Sequence, residues 1–189
     1  GSRTGARPGR CVRHRQLNRP AFPAVAGLDS FCGPAWHSAR WRADVDLRGQ
    51  RVGVIGTGAS AIQLVPRVAE QASSVTVFCR SAPYVLPKGD RPYSPGQRRR
   101  FAALPLLQAA DRARIFTRGE LVTNALTTAP WMRSLLERTW RRYLESQISD
   151  PTLRAACTPD YVIGCKRILL ADGWYSTLQQ EHVHLVTDR

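Results

Sequence analysis

Apolar positions along this chain change their rhythm several times, and each change predicts an element. Arg51-Val-Gly-Val-Ile55 is a short apolar run that breaks at Gly56 and Gly58, after which Ala61, Ile62, Leu64, Val65 and Val68 recur at the spacing of one helix face. The stretch reads as strand, tight turn and helix, and Val75-Thr-Val-Phe78 supplies a second strand. Upstream, Leu17-Asn-Arg-Pro-Ala-Phe-Pro23 is a proline-punctuated extended linker that delivers a dense aromatic segment. Downstream, residues 94–157 leave the strand–helix alternation and read as a helical insertion. Arg98–Ala110 is expected to form one helix, and 130–148 a stronger one, with Met132, Leu135, Leu136, Trp140, Tyr143 and Leu144 at helical spacing and Pro130 suited to a first turn. Asp150-Pro151 reads as an N-cap and first-turn proline opening a short helix, and 182–186 as a strand. The expected class is α/β, a Rossmann-like dinucleotide-binding domain with an inserted helical region.

The turn between the first strand and helix carries the first candidate chemistry. Gly56-Thr57-Gly58-Ala59-Ser60-Ala61 fits the G-x-G-x-x-A spacing, in which Gly56 permits the turn, Gly58 admits a diphosphate to the backbone and Ala61 keeps the helix close to the strand. A diphosphate would sit on the free amides at the positive end of the helix dipole. Past the second strand, an NAD site carries a carboxylate for the ribose 2′-hydroxyl; here the corresponding residues are Arg80 and Ser81. A guanidinium beside a hydroxyl suits a 2′-phosphate and so points to NADPH. The other reading of Arg80 is a solvated arginine at a strand end.

Composition changes this picture little. A net charge of +14 raises nucleic acid as a partner. The basic residues are nearly all arginine, however, and spread along the chain, with no helix-turn-helix, zinc-finger or aromatic RNA-binding pattern beside them, so no nucleic-acid partner is expected. Five scattered cysteines form no C-x-x-C pair and no metal grouping with the four histidines. They argue for reduced thiols, a cytoplasmic location and no metal site. No apolar run is long enough to span a bilayer.

The aromatic segment is the most specific feature. Phe31-Cys-Gly33-Pro-Ala-Trp36-His37-Ser-Ala-Arg-Trp41 fits F-x-G-x-x-x-H-x-x-x-W and resembles the fingerprint of the Baeyer–Villiger monooxygenases, flavin-dependent enzymes that insert oxygen beside a ketone carbonyl. Read without the family, Phe31, Trp36 and Trp41 are linker anchors and His37 a structural histidine hydrogen-bonded among them. The resemblance implies that Phe31, Gly33, His37 and Trp41 couple the motions of a flavin domain and an NADP domain. It extends from about Asn18 to Thr187. Gln63 matches a glutamine common on the family's helix after the glycines, and 83–87 its proline-rich turn. Asp90 departs from the asparagine of many members.

Gly164-Cys-Lys166-Arg167 resembles the family's return to the nicotinamide end of the site. The resemblance implies that Lys166 joins Arg80 and Ser81 on the 2′-phosphate and that Arg167 is the catalytic arginine beside the flavin; without the family the two read as a surface basic pair. The resulting scheme has an irregular, candidate non-native stretch at 1–15, a fingerprint linker at 16–48, an NADP-binding domain at 49–93 and 158–189, and the helical insertion at 94–157. With one phosphate-binding turn in the chain, the flavin domain is expected to be absent. The implied function is that of a fragment of an NADPH- and FAD-dependent enzyme that acts on a small ketone and oxygen and is inactive by itself. Two alternatives stand beside it, a non-catalytic NADP-binding module and a basic interaction protein.

Overall fold

The structure is a computed structural model and describes residues 20–127 and 130–187. The irregular stretch 1–15, and residues 16–19 of the expected linker with Asn18 among them, lie outside the described residues. The chain divides into two compact units, residues 1–46 and 47–189.

In the first unit, the described residues form two single-turn 3-10 helices, Leu28–Ser30 and Ser38–Arg40, joined by irregular backbone. Prolines at 20, 23 and 34 remove amide donors at intervals, which keeps the segment from extending either turn.

The second unit is mixed α/β. Strand β1 (Arg51–Ile55) leads through Gly56 into helix α1 (Ala61–Ala69), and the chain returns along β2 (Ser74–Phe78). β1 pairs in parallel with β2, Arg51 opposite Ser74 through Ile55 opposite Phe78, and β2 pairs in parallel with β5 (Val183–Val186). The strand order is β1-β2-β5. Helix α1 packs the face bearing Ala61, Ile62, Val65, Val68 and Ala69 against the sheet and against α6 (Trp174–Leu178). Val75 and Val77 of β2 are fully buried, whereas Arg51, Gly53 and Ile55 of β1 are exposed. Parallel strands ordinarily bury both faces, so β1 is unusual in showing one.

A second sheet joins two short strands that the periodicity did not predict, β3 (Val85–Leu86) and β4 (Leu169–Leu170). Asp172 stands at the end of β4 and accepts hydrogen bonds from the amides of Gly89 (3.0 Å) and Asp90 (3.2 Å). The Gly89 amide, first among these contacts, holds the Asp172 carboxyl below its usual range.

The insertion is helical but differs in detail from expectation. The single helix expected over Arg98–Ala110 is two, α2 (Pro95–Ala103) and α3 (Pro105–Thr127), parted at Leu104, whose φ of −132° and ψ of 84° leave the helical region. The ring of Pro105 excludes the α conformation from the residue before it, which accounts for the break. Ser94 and Gln97 form a reciprocal capping box at the start of α2. Helix α4 (Pro130–Gln147) lays Trp140 and Leu144 against the body of the unit. Asp150 then caps α5 (Pro151–Ala156), as the sequence predicts, accepting from Thr152 and Leu153.

Where α4 meets the small sheet, three aromatic side chains interlock. Tyr84 and Trp140, 2% and 1% exposed, meet edge to face at 4.6 Å, and the Trp140 indole N–H donates to the Tyr175 hydroxyl at 3.2 Å. Burial pushes the Tyr175 phenol far up, so it stays protonated and able to accept.

Candidate functional site

The site begins where β1 and β2 end side by side. The Gly56 amide donates to the Phe78 carbonyl at 2.9 Å, with Gly56 at φ +102°, a conformation an L side chain rarely adopts. Thr57 is buried, and its hydroxyl donates to the Ser81 carbonyl at 3.3 Å and lies 3.6 Å from the Cys79 sulfur. The glycine turn is thereby fastened to the loop after β2. The amides of Gly58, Ala59 and Ser60 donate to no acceptor among the described residues, while the Gly58 and Ser60 carbonyls already accept the first bonds of α1. A Cβ at Gly58 would meet nothing within 4 Å, so the space over the turn is open. Gln63 turns back on the turn itself, its side-chain amide donating to the Ala59 carbonyl at 2.8 Å.

Of the three expected cationic residues, two stand at this end of the sheet. Arg80 is exposed at the end of β2, with no ion pair among the described residues. Lys166, distant in sequence, reaches across so that its Nζ donates to Ser81 Oγ at 2.7 Å. The same ammonium lies 4.2 Å from the centre of the Tyr161 ring. Both partners are neutral, which fixes the cation without cancelling its charge.

Arg167 is exposed and lines an open groove of about 520 Å³ with Lys166, Cys165, Gly164, Val122 and Leu126. One wall of that groove is α3, and the other is the loop of residues 164–168. Gly164 sits at φ +96°, and a Cβ there would lie 2.9 Å from the Leu126 side chain, so the loop's approach to α3 depends on glycine.

Phe31, Gly33, His37 and Trp41 all lie in the first unit. A Cβ on Gly33 would come within 2.6 Å of the Phe31 ring, which rests over it. His37 caps the second 3-10 turn, its Nδ1 accepting from the Ala39 amide at 3.1 Å. The neutral ring with Nδ1 as acceptor carries its proton on Nε2. Trp36 and Trp41 stack edge to face at 5.6 Å, and Phe22 meets the His37 ring in the same manner at 6.3 Å.

The sequence placed Thr57 among the cofactor-binding residues of the turn but did not show that it fastens the turn to the Ser81 loop, and it gave no role to Tyr161 or Tyr84. The Tyr84 hydroxyl donates to the Tyr161 carbonyl at 2.9 Å, and the two rings meet at 5.5 Å. A tyrosine five residues before a lysine carries no periodic signal that would have marked it. Among the described residues no group of histidine, cysteine and carboxylate side chains is arranged to hold a metal, and no helix is long and apolar enough to cross a membrane.

Comparison with known proteins gives this arrangement a lineage. No protein-family model matches the chain. It is 42% identical over 172 residues to a Baeyer–Villiger monooxygenase of Pseudomonas aeruginosa, covering 91% of this chain and 33% of that protein. It is 43% identical over 170 residues to one of Streptomyces coelicolor, covering 90% and 33%. Among solved structures, an oxidized steroid monooxygenase bound to NADP superposes with a TM-score of 0.73 at 32% identity, over 88% of this chain and 38% of that one. The polycyclic ketone monooxygenase of Thermothelomyces thermophila superposes with a TM-score of 0.74 at 26% identity, over 88% and 34%. The relatives are monooxygenases, and the fold shared with the solved ones is mixed α/β with a parallel sheet. Over about nine tenths of its length the chain is homologous to proteins named Baeyer–Villiger monooxygenase, and it spans about one third of the length of these curated relatives.

Proposed function

We propose that this chain is the NADPH-holding portion of a Baeyer–Villiger monooxygenase that oxidises a ketone to an ester or lactone. The observation that carries the reading is the Lys166 ammonium held on Ser81 at 2.7 Å beside Arg80, which has no ion pair among the described residues. This leaves uncompensated positive charge at the position where an NAD site keeps a carboxylate. In this reading residues 49–93 and 158–187 form the Rossmann-like nucleotide domain and 94–157 its helical insertion. The free amides of Gly58, Ala59 and Ser60 at the start of α1 hold the diphosphate, with Gly56, Thr57 and Gln63 fixing the turn. Arg80, Ser81 and Lys166 hold the 2′-phosphate.

NADPH supplies the hydride and FAD, proposed to bind outside this chain's span, supplies the oxygen chemistry. Arg167 is an exposed cation lining a groove with the apolar side chains of Val122 and Leu126. There its guanidinium stabilises negative charge developing on the reacting oxygen atoms as the ketone is oxidised, without taking up a proton itself. Phe31, Gly33, His37 and Trp41 are proposed to couple the nucleotide domain to the flavin domain, the exposed Phe31 and Trp41 rings serving as the contact surface. The proposed partners are a small ketone and oxygen, and the chain alone is proposed to hold no stoichiometric FAD.

Calorimetric titration with NADP⁺ and NAD⁺ tests the reading. NADP⁺ is expected to bind more tightly by roughly 10- to 150-fold, the equivalent of one charge-assisted hydrogen bond of about 1.5–3 kcal/mol. Arg80→Ala should remove much of that difference while leaving NAD⁺ unaffected. Equal affinities in the unsubstituted chain would defeat the assignment.

A further inference from the structure

Lys166 poses a physical problem that its hydrogen bond does not solve. A lysine ammonium on four methylenes loses substantial rotamer entropy when it is fixed, and a single bond to a serine hydroxyl is a weak restraint. No carboxylate among the described residues pairs with it. Its second contact is the face of Tyr161, at 4.2 Å from the ring centre.

Tyr161 is itself held from behind. Its carbonyl accepts from the Tyr84 hydroxyl at 2.9 Å, and its ring stands at 86° to the Tyr84 ring. Tyr84 is 2% exposed and is pinned in turn by Trp140 of α4. The series Trp140, Tyr84, Tyr161, Lys166 runs from the fully buried base of the insertion to an exposed cation. Each link restricts the next, and the last presents a charge.

We propose that Tyr161 is a positioning residue for nucleotide selection: its ring face holds the Lys166 ammonium over Ser81 in the orientation that receives a phosphate monoester. The inference rests on the proposed NADPH site and adds the device that organises it. A ring face attracts a cation without supplying an anion to compete with the ligand, whereas an aspartate or glutamate in its place would neutralise the site. With Lys166 Nζ donating to Ser81 Oγ, the Ser81 O–H remains free to donate outward, so the pair offers a phosphate a cation and a hydroxyl donor together.

The chain has two lysines, Lys88 and Lys166, which makes a direct test practical. With lysine labelled at the ε-carbon, two methylene signals are expected, and Lys166→Arg assigns them. The Lys166 signal should be shifted upfield by the Tyr161 ring in the free chain. It should remain so in Tyr161→Phe, which keeps the face, and lose the shift in Tyr161→Leu. In parallel, Tyr161→Leu should weaken NADP⁺ binding about 3- to 30-fold with NAD⁺ binding unchanged, and Tyr161→Phe should leave both within about twofold. In a Lys166→Ala background the Tyr161→Leu effect on NADP⁺ should disappear, because the two residues act through one contact.

Equal weakening of both nucleotides by Tyr161→Leu, or an undiminished effect in the Lys166→Ala background, would overturn the proposal and leave Tyr161 a structural residue. An unshifted Lys166 signal in the unsubstituted chain would overturn it as well. If that chain binds NADP⁺ and NAD⁺ equally, the phosphate-site reading fails, and the methylene signals alone decide whether Tyr161 holds Lys166.

Discussion

Helices α3 and α4 follow one another along the chain, carry seven apolar residues larger than alanine each, and bury them very differently. Over its 23 residues α3 buries only Ala125 and leaves Leu106, Leu107, Ile115, Phe116 and Leu121 exposed. Over its 18 residues α4 buries Trp140 and Leu144 and leaves Trp131 and Leu135 exposed, with Ile148 just beyond its end fully buried. Arrangement accounts for this. On α4 the positions 132, 136, 140, 143 and 144 fall in one stripe that Ile148 continues past its end, whereas the apolar positions of α3 are distributed around the whole cylinder. A stripe can be covered by one surface, and a scatter cannot. Apolar content by itself therefore says little about which helix belongs to the core.

The largest test of this contrast is truncation of the anchor. Trp140→Ala should destabilise the chain by about 3–5 kcal/mol, the range for removing a buried large aromatic, read as a lower urea midpoint. A loss under about 1 kcal/mol would mean that α4 is not seated as described.

Next in size is an alkaline limb belonging to the packed side alone, set by Cys157 up to about pH 10 and joined above that by the buried Tyr175, whose phenol burial also raises. Cys157, at the end of α5, lines a small void of about 10 Å³ with Thr57, Cys79 and Trp174, and burial pushes its thiol up to about 12. The unfolded thiol titrates near 8.5, so the unfolded chain releases its proton first as pH rises. The stabilisation is thus complete below about pH 8.5 and falls by up to ~1.4 kcal/mol per unit between there and about 12. Urea midpoints measured in steps from about pH 8 to 10, below the range where the raised tyrosines contribute, should show this decline, and Cys157→Ala should flatten it there.

The smallest expected effect lies on α3. Phe116→Ala should change stability by no more than about 0.5 kcal/mol by the same measurement, since that side chain is 69% exposed. A loss comparable to that of Trp140→Ala would erase the distinction between the two helices.

How far the sequence disclosed the molecule follows from the same physics. The strand–turn–helix around Gly56 was legible because glycines interrupt an apolar run and the period then changes, and α4 because most of its expected face, Leu135 apart, lies in one covered stripe. The break at Leu104 was written in Pro105, yet a helix continuing to Ala110 was expected. Strands β3 and β4, two residues each, are too short to show a period, and β3 occupies what was read only as a proline-rich turn. Within the candidate site, Arg80 and Ser81 followed from their place after β2, while the Lys166 contact across 85 positions came only through family resemblance. The ring beneath Lys166 could not be foreseen, since placing Tyr161 requires Tyr84 and Trp140 to be already packed.

The exposed strand β1 bears finally on how the protein behaves in concentrated solution. One edge of β1 pairs with no strand among the described residues, and Ile55 is open beside it. Unpaired edges recruit other strands, and what keeps two copies apart at low ionic strength is the mutual repulsion of chains carrying a net charge of +14. That repulsion reaches about 10 Å in 0.1 M salt and about 3 Å in 1 M, less than the 4.7–4.9 Å separating paired strands. For this chain ionic strength is a colloidal control, because added salt removes the barrier to edge-to-edge association and leaves the attraction in place.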